Sequence, residues 1–184
     1  MGMKTSVNIY LVGPMGAGKT TIGRQLAKAL GMEFGDSDHE IERRTGADIP
    51  WIFDIEGEDG FRQRERAAIE DLTKRSGLVL ATGGGVVLDK KNRTSLSNTG
   101  IVVYLRASLD KLYERTAKDR NRPLLQDDDP RARLEEMMCA RDPLYREVAD
   151  IIIDTDKKGI RQTVTQLSKQ VKQLTNGKKT SSKH

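Results

Sequence analysis

Short, almost continuous apolar runs alternate along the chain with stretches of helical periodicity. The runs at 7–12, 78–81, 101–105 and 151–153 are rich in valine, leucine and isoleucine, and the short piece 33–35 is a candidate fifth strand. Runs without polar alternation are typical of strands that are buried on both faces. The pattern therefore predicts an α/β fold, with five strands in a parallel sheet and helices on both of its faces.

Helical periodicity occupies the intervals between these runs. In 19–30, Ile22, Leu26 and Leu30 recur at every fourth position, as on one face of an amphipathic helix. Further helices are predicted at 57–74, 109–118, 130–141 and 160–174. Since neither a repeat nor a linker interrupts the alternation, we predict a single domain over residues 1–176.

The net charge of +5 is concentrated at the C-terminus, because Lys178, Lys179 and Lys183 lie in 177–184, a segment without acidic residues. We predict that this basic segment is a disordered tail. Aromatic residues make up only 4% of the chain. A nucleic-acid interface, which needs a basic surface with stacking aromatics, is therefore not expected.

Two further absences limit the class of protein. No run of about 18 apolar residues occurs, so neither a membrane-spanning helix nor a membrane partner is expected. A single cysteine, Cys139, excludes an internal disulfide framework and favours the cytoplasm. Cys139 lies beside an apolar stripe, so we expect it in the core, and we expect Trp51 in the core or in a pocket wall.

Residues 13–20, GPMGAGKT, match the phosphate-binding pattern G-x-x-x-x-G-K-[ST] between a predicted strand and a predicted helix. The glycines let successive backbone N–H groups converge on phosphate oxygens, and the helix N-terminus adds positive potential. Lys19 is expected to reach the β- and γ-phosphates of a nucleoside triphosphate, and Thr20 to ligate Mg²⁺. The motif predicts nucleotide binding and leaves the reaction open.

Two carboxylates follow the short strand at 33–35. If the backbone is extended there, Asp36 and Asp38 project to the same side and face one spot. One could hold the water shell of a metal ion while the other accepts a proton. Helix capping is the alternative, because Ser37 and Glu40 form a capping box and Asp38 is itself a possible N-cap.

Gly83, Gly84 and Gly85 directly follow the run at 78–81. In an open α/β sheet, ligands bind at the carboxyl ends of the strands, and glycines there allow the backbone to approach a ligand closely. A plain flexible turn is the alternative reading.

Two arginines are placed to bind an anion. Arg62 borders the apolar face of its predicted helix, with Glu65 three residues on to orient it. Arg141 extends an apolar stripe, and Asp142-Pro143 is predicted to end that helix just beyond it. A pair of guanidinium groups suits a carboxylate, although a solvated or structural role is equally open for each.

The polar segment 119–129 separates two predicted helices and is either a functional lid or disordered. Arg115, Arg120 and Arg122 lie in or beside it. A positive lid that closes over a γ-phosphate would stabilise transition-state charge and exclude water. A solvated run of charges is the alternative.

Six segments occur between residues 13 and 145 in the order GPMGAGKT, DSD, GEDGFRQRE, ATGGG, RPLL and ARDPLY, and the resemblance that they carry covers about residues 7–174. This combination resembles the shikimate kinase family, in the bacterial form similar to the enterobacterial enzyme. The resemblance implies a three-layer P-loop kinase fold of the nucleoside-monophosphate-kinase type, with strand order 2-3-1-4-5 and a mobile lid. It also implies a cytoplasmic monomer that uses ATP and Mg²⁺ to phosphorylate the 3-hydroxyl of shikimate, in the pathway to chorismate.

The resemblance also implies roles for individual residues. Asp38 would bind the shikimate 3-hydroxyl and act as its base, and Arg62 and Arg141 would hold the shikimate carboxylate. Asp36 would hold the metal ion through water, and Arg122 would be the lid arginine on the phosphates. The backbone of Gly83, Gly84 and Gly85 would contact the substrate and the γ-phosphate. The nucleotide would be bound by Gly16, Ala17, Gly18, Lys19, Thr20, Thr21, Arg115, Arg122 and Lys158, with Thr20 and Asp36 at the metal ion.

Three other readings remain open at this point. A related P-loop kinase could act on another hydroxy acid such as gluconate, and a substrate panel would separate the two. An ATP-binding regulator without catalysis would show no turnover. A nucleic-acid-binding P-loop protein would need the aromatic residues that this chain lacks.

Overall fold

The computed structural model describes residues 6–118 and 128–180, with side chains described as far as residue 177. Five strands form a single sheet in the order β2-β3-β1-β4-β5, and every neighbouring pair is parallel. Both features confirm the predictions. The strands are β1 (Asn8–Val12), β2 (Glu33–Asp36), β3 (Leu78–Ala81), β4 (Gly100–Arg106) and β5 (Ile151–Asp154).

Helices cover both faces of this sheet, as the pattern predicted. Ile9 and Leu11 of β1 face one core, which is covered by the first, fifth and seventh helices. Tyr10 and Val12 face the other core, which is covered by the third, fourth and sixth helices. Because successive side chains of a strand point to opposite faces, one apolar strand serves both cores. The helices are α1 (Lys19–Leu30), α2 (Ser37–Thr45), α3 (Ile49–Leu72), α4 (Lys90–Thr99), α5 (Leu109–Thr116), α6 (Pro130–Val148) and α7 (Ile160–Thr180), with a short 3₁₀ helix at Val86–Leu88.

The strand register brings two loops together at the centre of the sheet. Leu11 of β1 lies opposite Ala81 of β3 and Val103 of β4. Thr82, just after β3, donates to the Leu11 carbonyl from both its backbone N–H (3.1 Å) and its hydroxyl (2.8 Å). The loop that follows β1 and the glycines that follow β3 therefore start side by side.

The predicted end of the sixth helix at Asp142-Pro143 is wrong. Helix α6 continues through Pro143 to Val148 and buries Arg141 and Tyr145. Proline in a helix removes one backbone hydrogen bond, here to the carbonyl of residue 139. Because Pro143 and Cys139 are both exposed, water can reach that carbonyl, and the expectation that Cys139 lies in the core is also wrong.

Helices α2 and α4 and the first half of α3 were not predicted from the pattern. Helix α4 buries only Asn92 and Leu96, so it has almost no apolar stripe. Helix α3 begins at Ile49 and is interrupted at Gly57, where φ is 70° and ψ is −177°. This backbone conformation is essentially restricted to glycine. Trp51, in the first half of α3, is 58% exposed, so it does not belong to the core, and it lines neither of the two cavities described below.

Helix α7 runs to Thr180, so the predicted boundary after residue 176 does not coincide with a helix end. The disorder of 177–184 remains a prediction, and 181–184 lie outside the described residues. Within the described parts of the chain, no helix combines the length and the apolar character that crossing a membrane requires.

Candidate active site

The loop after β1 is curled as a phosphate-binding loop requires. Gly13, Gly16 and Gly18 have φ values of 146°, 81° and 92°, which side chains rarely adopt. A Cβ atom on Gly13 would lie only 2.6 Å from the carbonyl oxygen of Leu105, so β4 also requires glycine there. Lys19 opens α1 and turns back, and its Nζ donates to the carbonyl oxygens of Gly13 (2.7 Å) and Pro14 (2.8 Å). The loop is thus preformed around the lysine.

Thr20 and Asp36 meet beside this loop. The Thr20 hydroxyl donates to Asp36 Oδ2 at 3.0 Å, while Asp36 Oδ1 accepts from the backbone N–H groups of Asp38 (3.0 Å) and His39 (3.2 Å). Asp36 is therefore the N-cap of α2, which corrects the expectation that Ser37 or Asp38 caps it. Asp38 lies in the first helical turn, so the extended geometry expected for the two carboxylates is also wrong.

The oxygen donors of Thr20 and Asp36 fit a magnesium ion. A hydroxyl and a carboxylate are the hard ligands that Mg²⁺ prefers, and this ion completes its shell with water and substrate phosphates. Among the residues that the structure describes, no cluster of three or more His, Cys, Asp or Glu side chains could hold a metal ion. A site with few protein ligands is what an ion bound together with a triphosphate needs.

A larger cavity of about 420 Å³ opens next to the loop and is lined by all of the predicted substrate residues, which are Asp38, Arg62, Gly83, Gly84, Gly85 and Arg141. Thr20 and Asp36, the two predicted metal ligands, also line it.

Arg62 is held at this cavity by acidic neighbours on its own helix. Its Nη1 donates to Glu65 Oε1 at 3.0 Å, as the sequence predicted, and its Nη2 donates to Glu58 Oε1 at 3.3 Å. Glu65 is fully buried, and this loss of hydration raises its pKa to about 7 against the opposing effect of Arg62; Asp38 adds to the rise.

The glycines at 83–85, called here the glycine turn, lie closely against neighbouring side chains, which leave no room for a Cβ atom at Gly83 or Gly85 unless those side chains move. A Cβ atom on Gly83 would lie 2.7 Å from Asp38 Oδ1 and 3.0 Å from Glu65 Oε2, and one on Gly85 would lie 2.3 Å from Nη2 of Arg62. The Gly83 N–H donates to the Ser37 hydroxyl at 3.0 Å. A plain flexible turn would need no such contacts, so the turn is a tightly packed part of the cavity wall.

Arg141 reaches the cavity from α6 and is buried, with 7% of its surface exposed. Burial lowers its pKa, and the nearby charge of Arg62 adds to this. Tyr145, one turn along the helix, lies close enough to act on the charge of Arg141, and it donates its hydroxyl proton to the Gly84 carbonyl. Tyr145 is completely buried and stacks on Tyr104 with ring centroids 5.0 Å apart. A rigid aromatic pair therefore supports the arginine and the glycine turn together.

A smaller cavity of about 270 Å³ lies on the other side of the phosphate loop. Arg115 lines it, and its Nη1 donates to the Gly16 carbonyl at 2.9 Å. Lys158 also lines it and is paired with Gln166. The predicted nucleotide residues in its wall are Gly16, Ala17, Gly18, Thr21, Arg115 and Lys158. Arg120, Arg122 and the lid up to residue 127 lie outside the described residues.

Several contributors to the larger cavity were not predicted from the sequence, among them the lining residues His39, Glu42, Phe53 and Phe61, and three others show why. Tyr145 belongs to the segment ARDPLY, but the assumed helix end at Pro143 hid its position one turn beyond Arg141. Ser37 was considered only as a cap, and Met15 only as a variable position of the phosphate loop. A helix prediction that tolerated Pro143 would have found the first of these.

Comparison with known proteins decides among the open readings. The sequence model of the family described as shikimate kinase matches residues 15–172.

The chain belongs to the shikimate kinase family.

Shikimate kinases from Thioalkalivibrio sulfidiphilus (strain HL-EbGR7) and Pasteurella multocida (strain Pm70) are 59% and 58% identical to it. These alignments cover 91% and 87% of this chain and 88% and 92% of the two relatives. A solved shikimate kinase from Acinetobacter baumannii, in complex with shikimate, is 53% identical with a TM-score of 0.90, over 94% of this chain and 96% of that one. Shikimate kinase membership confirms the predicted fold class and makes the chain a kinase.

A solved gluconokinase from Sinorhizobium meliloti 1021 also aligns with the present chain, at 18% identity and a TM-score of 0.54. At that level of identity the likeness reaches only the fold, and it gives the gluconate alternative no separate support.

Proposed function

We propose that this chain transfers the γ-phosphate of ATP to the 3-hydroxyl of shikimate, on the route to chorismate. The observation that carries the proposal is the larger cavity, which places Arg62, Arg141 and Asp38 directly beside the phosphate loop. Such a cavity suits a small hydroxy acid, with its carboxylate at the arginines and its reacting hydroxyl at Asp38. Family membership supports the same reaction.

The two arginines would bind the shikimate carboxylate from different helices. Arg141 is buried and arrives from α6, whereas Arg62 arrives from α3 and is oriented by Glu65. Charged hydrogen bonds from two guanidinium groups fix the plane of a carboxylate as well as its position. Orienting the ring in this way would direct one hydroxyl towards Asp38.

Asp38 would act as general base in the transfer step. It accepts the proton of the 3-hydroxyl as that oxygen forms a bond to the γ-phosphorus, while the bond from phosphorus to the β–γ bridging oxygen breaks and ADP leaves. The backbone of Gly83, Gly84 and Gly85 would line the path of the γ-phosphate. Ser37 supports this by holding the Gly83 N–H in place.

Lys19 would neutralise charge on the phosphates. In the structure its ammonium group binds two carbonyl oxygens of its own loop, so it is already held close to the space that the loop encloses. A triphosphate would add stronger, charged acceptors for the same donors. Arg122 of the lid would add a second positive charge at the γ-phosphate, as the sequence alone predicts.

Thr20 and Asp36 would hold Mg²⁺, Asp36 through water. When bound, the ion supplies charge neutralisation between the β- and γ-phosphates. The hydrogen bond between the two side chains keeps their oxygens together at the edge of the loop.

The smaller cavity would receive the nucleoside. Arg115 would stack on the adenine ring, while Gly16, Ala17, Gly18 and Thr21 surround the phosphates, and Lys158 would close the far side. We further propose that the chain works as a cytoplasmic monomer with one domain over residues 1–176.

A coupled assay of ADP release tests the proposed function. Shikimate should stimulate ADP release in the presence of Mg²⁺, whereas quinate and gluconate should not. Stimulation by gluconate with no response to shikimate would overturn the substrate assignment.

The variant Asp38→Asn tests the catalytic role separately from binding. Its turnover number should fall by about 10²–10⁴-fold, the usual contribution of a general base, while ATP affinity stays near that of the parent chain. Near-normal turnover would remove Asp38 from the mechanism.

A further inference from the structure

Glu65 is a buried carboxylate that the proposed reaction does not use. Its side chain is 1% exposed, one of its oxygens accepts from Arg62, and the other, Oε2, has no hydrogen-bond partner among the described residues. It also lines the larger cavity. A buried polar oxygen without a partner is costly, and such an atom in a binding cavity calls for an explanation.

The charges around Glu65 balance while the cavity is empty. The charged or titratable groups that act on it come from three helices: Arg62 from α3, Asp38 from α2, and Arg141 and Tyr145 from α6. Glu58 of α3 pairs with Arg62 at 3.3 Å and also acts on Arg141, but its side chain is 54% exposed, so water screens its charge. Two guanidinium groups therefore face the two less exposed carboxylates, Glu65 and Asp38, with Tyr145 neutral.

A substrate carboxylate at Arg62 and Arg141 changes this balance. Three carboxylates would then share two guanidinium groups beside the buried Glu65 and Arg141, where unbalanced charge is more costly than in water. Since Glu65 already holds a donor of Arg62, it also competes with the incoming anion for that arginine.

We propose that Glu65 takes up a proton when the carboxylate of the acceptor binds between Arg62 and Arg141, and so restores the charge balance of the cavity. This inference rests on the proposed function, because it takes the acceptor to be a carboxylate. A neutral Glu65 competes less for Arg62, and its protonated oxygen becomes a hydrogen-bond donor.

Glu65 is better placed than Asp38 to receive this proton. It is the more deeply buried of the two, and burial already raises its pKa to about 7 in the empty cavity, so little additional negative charge is needed. Asp38 and Glu65 also lie against the same point of the glycine turn, since a Cβ atom on Gly83 would contact both carboxylates. A proton on one of them relieves the repulsion between them.

The direction of the pH dependence follows from linkage. Binding of an anion favours the protonated form, so the pKa of Glu65 rises further in the complex, and protons are taken up only where free Glu65 is ionised, above about pH 7. Shikimate affinity should be independent of pH below that value and should fall above it, approaching about tenfold per pH unit.

Isothermal titration calorimetry of the full chain with shikimate measures the uptake. At about pH 8, the binding heat should vary with the ionisation enthalpy of the buffer across phosphate, HEPES and Tris, with a slope that corresponds to proton uptake. Glu65→Gln keeps an acceptor for Arg62 and should bind shikimate without this slope. Glu70→Gln, which changes an exposed carboxylate of the same helix, should retain it.

A second test uses the unmodified chain, so its outcome does not depend on whether a variant folds. The methyl ester of shikimate carries no carboxylate charge, so it should bind more weakly and with no proton uptake. A parent chain that binds shikimate without proton uptake, or an equal uptake in Glu65→Gln, overturns the inference while shikimate turnover still upholds the proposed function. If shikimate neither binds nor is phosphorylated, the proposed function itself fails.

Discussion

The variant Gly85→Ala gives a sharp test of how the cavity is built. Gly85 has φ −97° and ψ 7°, which alanine can adopt, so the added methyl group introduces no backbone strain. Its Cβ atom, however, would lie 2.3 and 2.5 Å from the two terminal nitrogens of Arg62. Since such contacts need more than 3 Å, the guanidinium group must move by about 1 Å or rotate away.

The cost of this movement falls on binding rather than on folding. The end of a long side chain can shift cheaply, so the free energy of unfolding should change by less than about 1 kcal/mol. Loss of a charged hydrogen bond to the shikimate carboxylate costs about 1.5–3 kcal/mol. The dissociation constant for shikimate should therefore rise by about 10- to 150-fold.

Titration calorimetry with shikimate, and separately with a non-hydrolysable ATP analogue, measures the two affinities. Only the affinity for shikimate should change. Gly159→Ala is the matched control, because a Cβ atom there contacts nothing within 4 Å. A Gly85→Ala chain that binds shikimate as tightly as the control would show that shikimate binding does not depend on the position of Arg62 against the glycine turn. The proposed carboxylate site would then lose its main geometric support.

Three further predictions concern stability and positioning. Tyr145→Phe should weaken shikimate binding and destabilise the fold by about 1–3 kcal/mol in urea unfolding, because the Gly84 carbonyl loses its buried hydrogen-bond donor. Unchanged values for both would contradict the positioning role of Tyr145. Gly57→Ala should lower the urea midpoint by the equivalent of about 1–3 kcal/mol, since only glycine adopts that conformation without strain; an unchanged midpoint would argue against the interruption in α3. Because the pKa of Glu65 is raised to about 7, its contribution to the free energy of unfolding is complete below about pH 4.5 and is lost as the pH rises to about 7. This loss is on the order of 3 kcal/mol, and Glu65→Gln should abolish it. Parallel profiles of stability against pH for variant and parent would refute this.

Much of the fold was predictable because strand burial and helix periodicity are local signals. The run at 78–81 and the helix at 19–30 have the predicted bounds in the structure. Helix α4 was missed because it packs through only two residues, one of them Asn92. A local pattern carries no information about a helix whose stability comes from tertiary contacts.

The residues of the candidate site were likewise predictable where the signal was local and hidden where it depended on tertiary contacts. Lys19 and Thr20 were evident from the spacing of the phosphate loop, and Arg62 from its place beside an apolar face. The support of Arg141 by Tyr145 was hidden, because proline normally ends a helix and only the solvent-facing position of Pro143 allows α6 to continue. The burial of Glu65 was hidden as well, since it depends on α2, α3, α6 and the glycine turn meeting at one point.

The two cavities draw on largely separate parts of the chain. Apart from the phosphate loop, which both share, the larger cavity is built from residues 36–85 and Arg141, and the smaller one from Arg115 and residues 155–163. If the proposed function holds, the residues that choose the acceptor lie mainly in one continuous stretch between the second strand and the glycine turn. Exchanging that stretch, together with the residue at 141, would then change which alcohol receives the phosphate and leave the nucleotide residues unchanged.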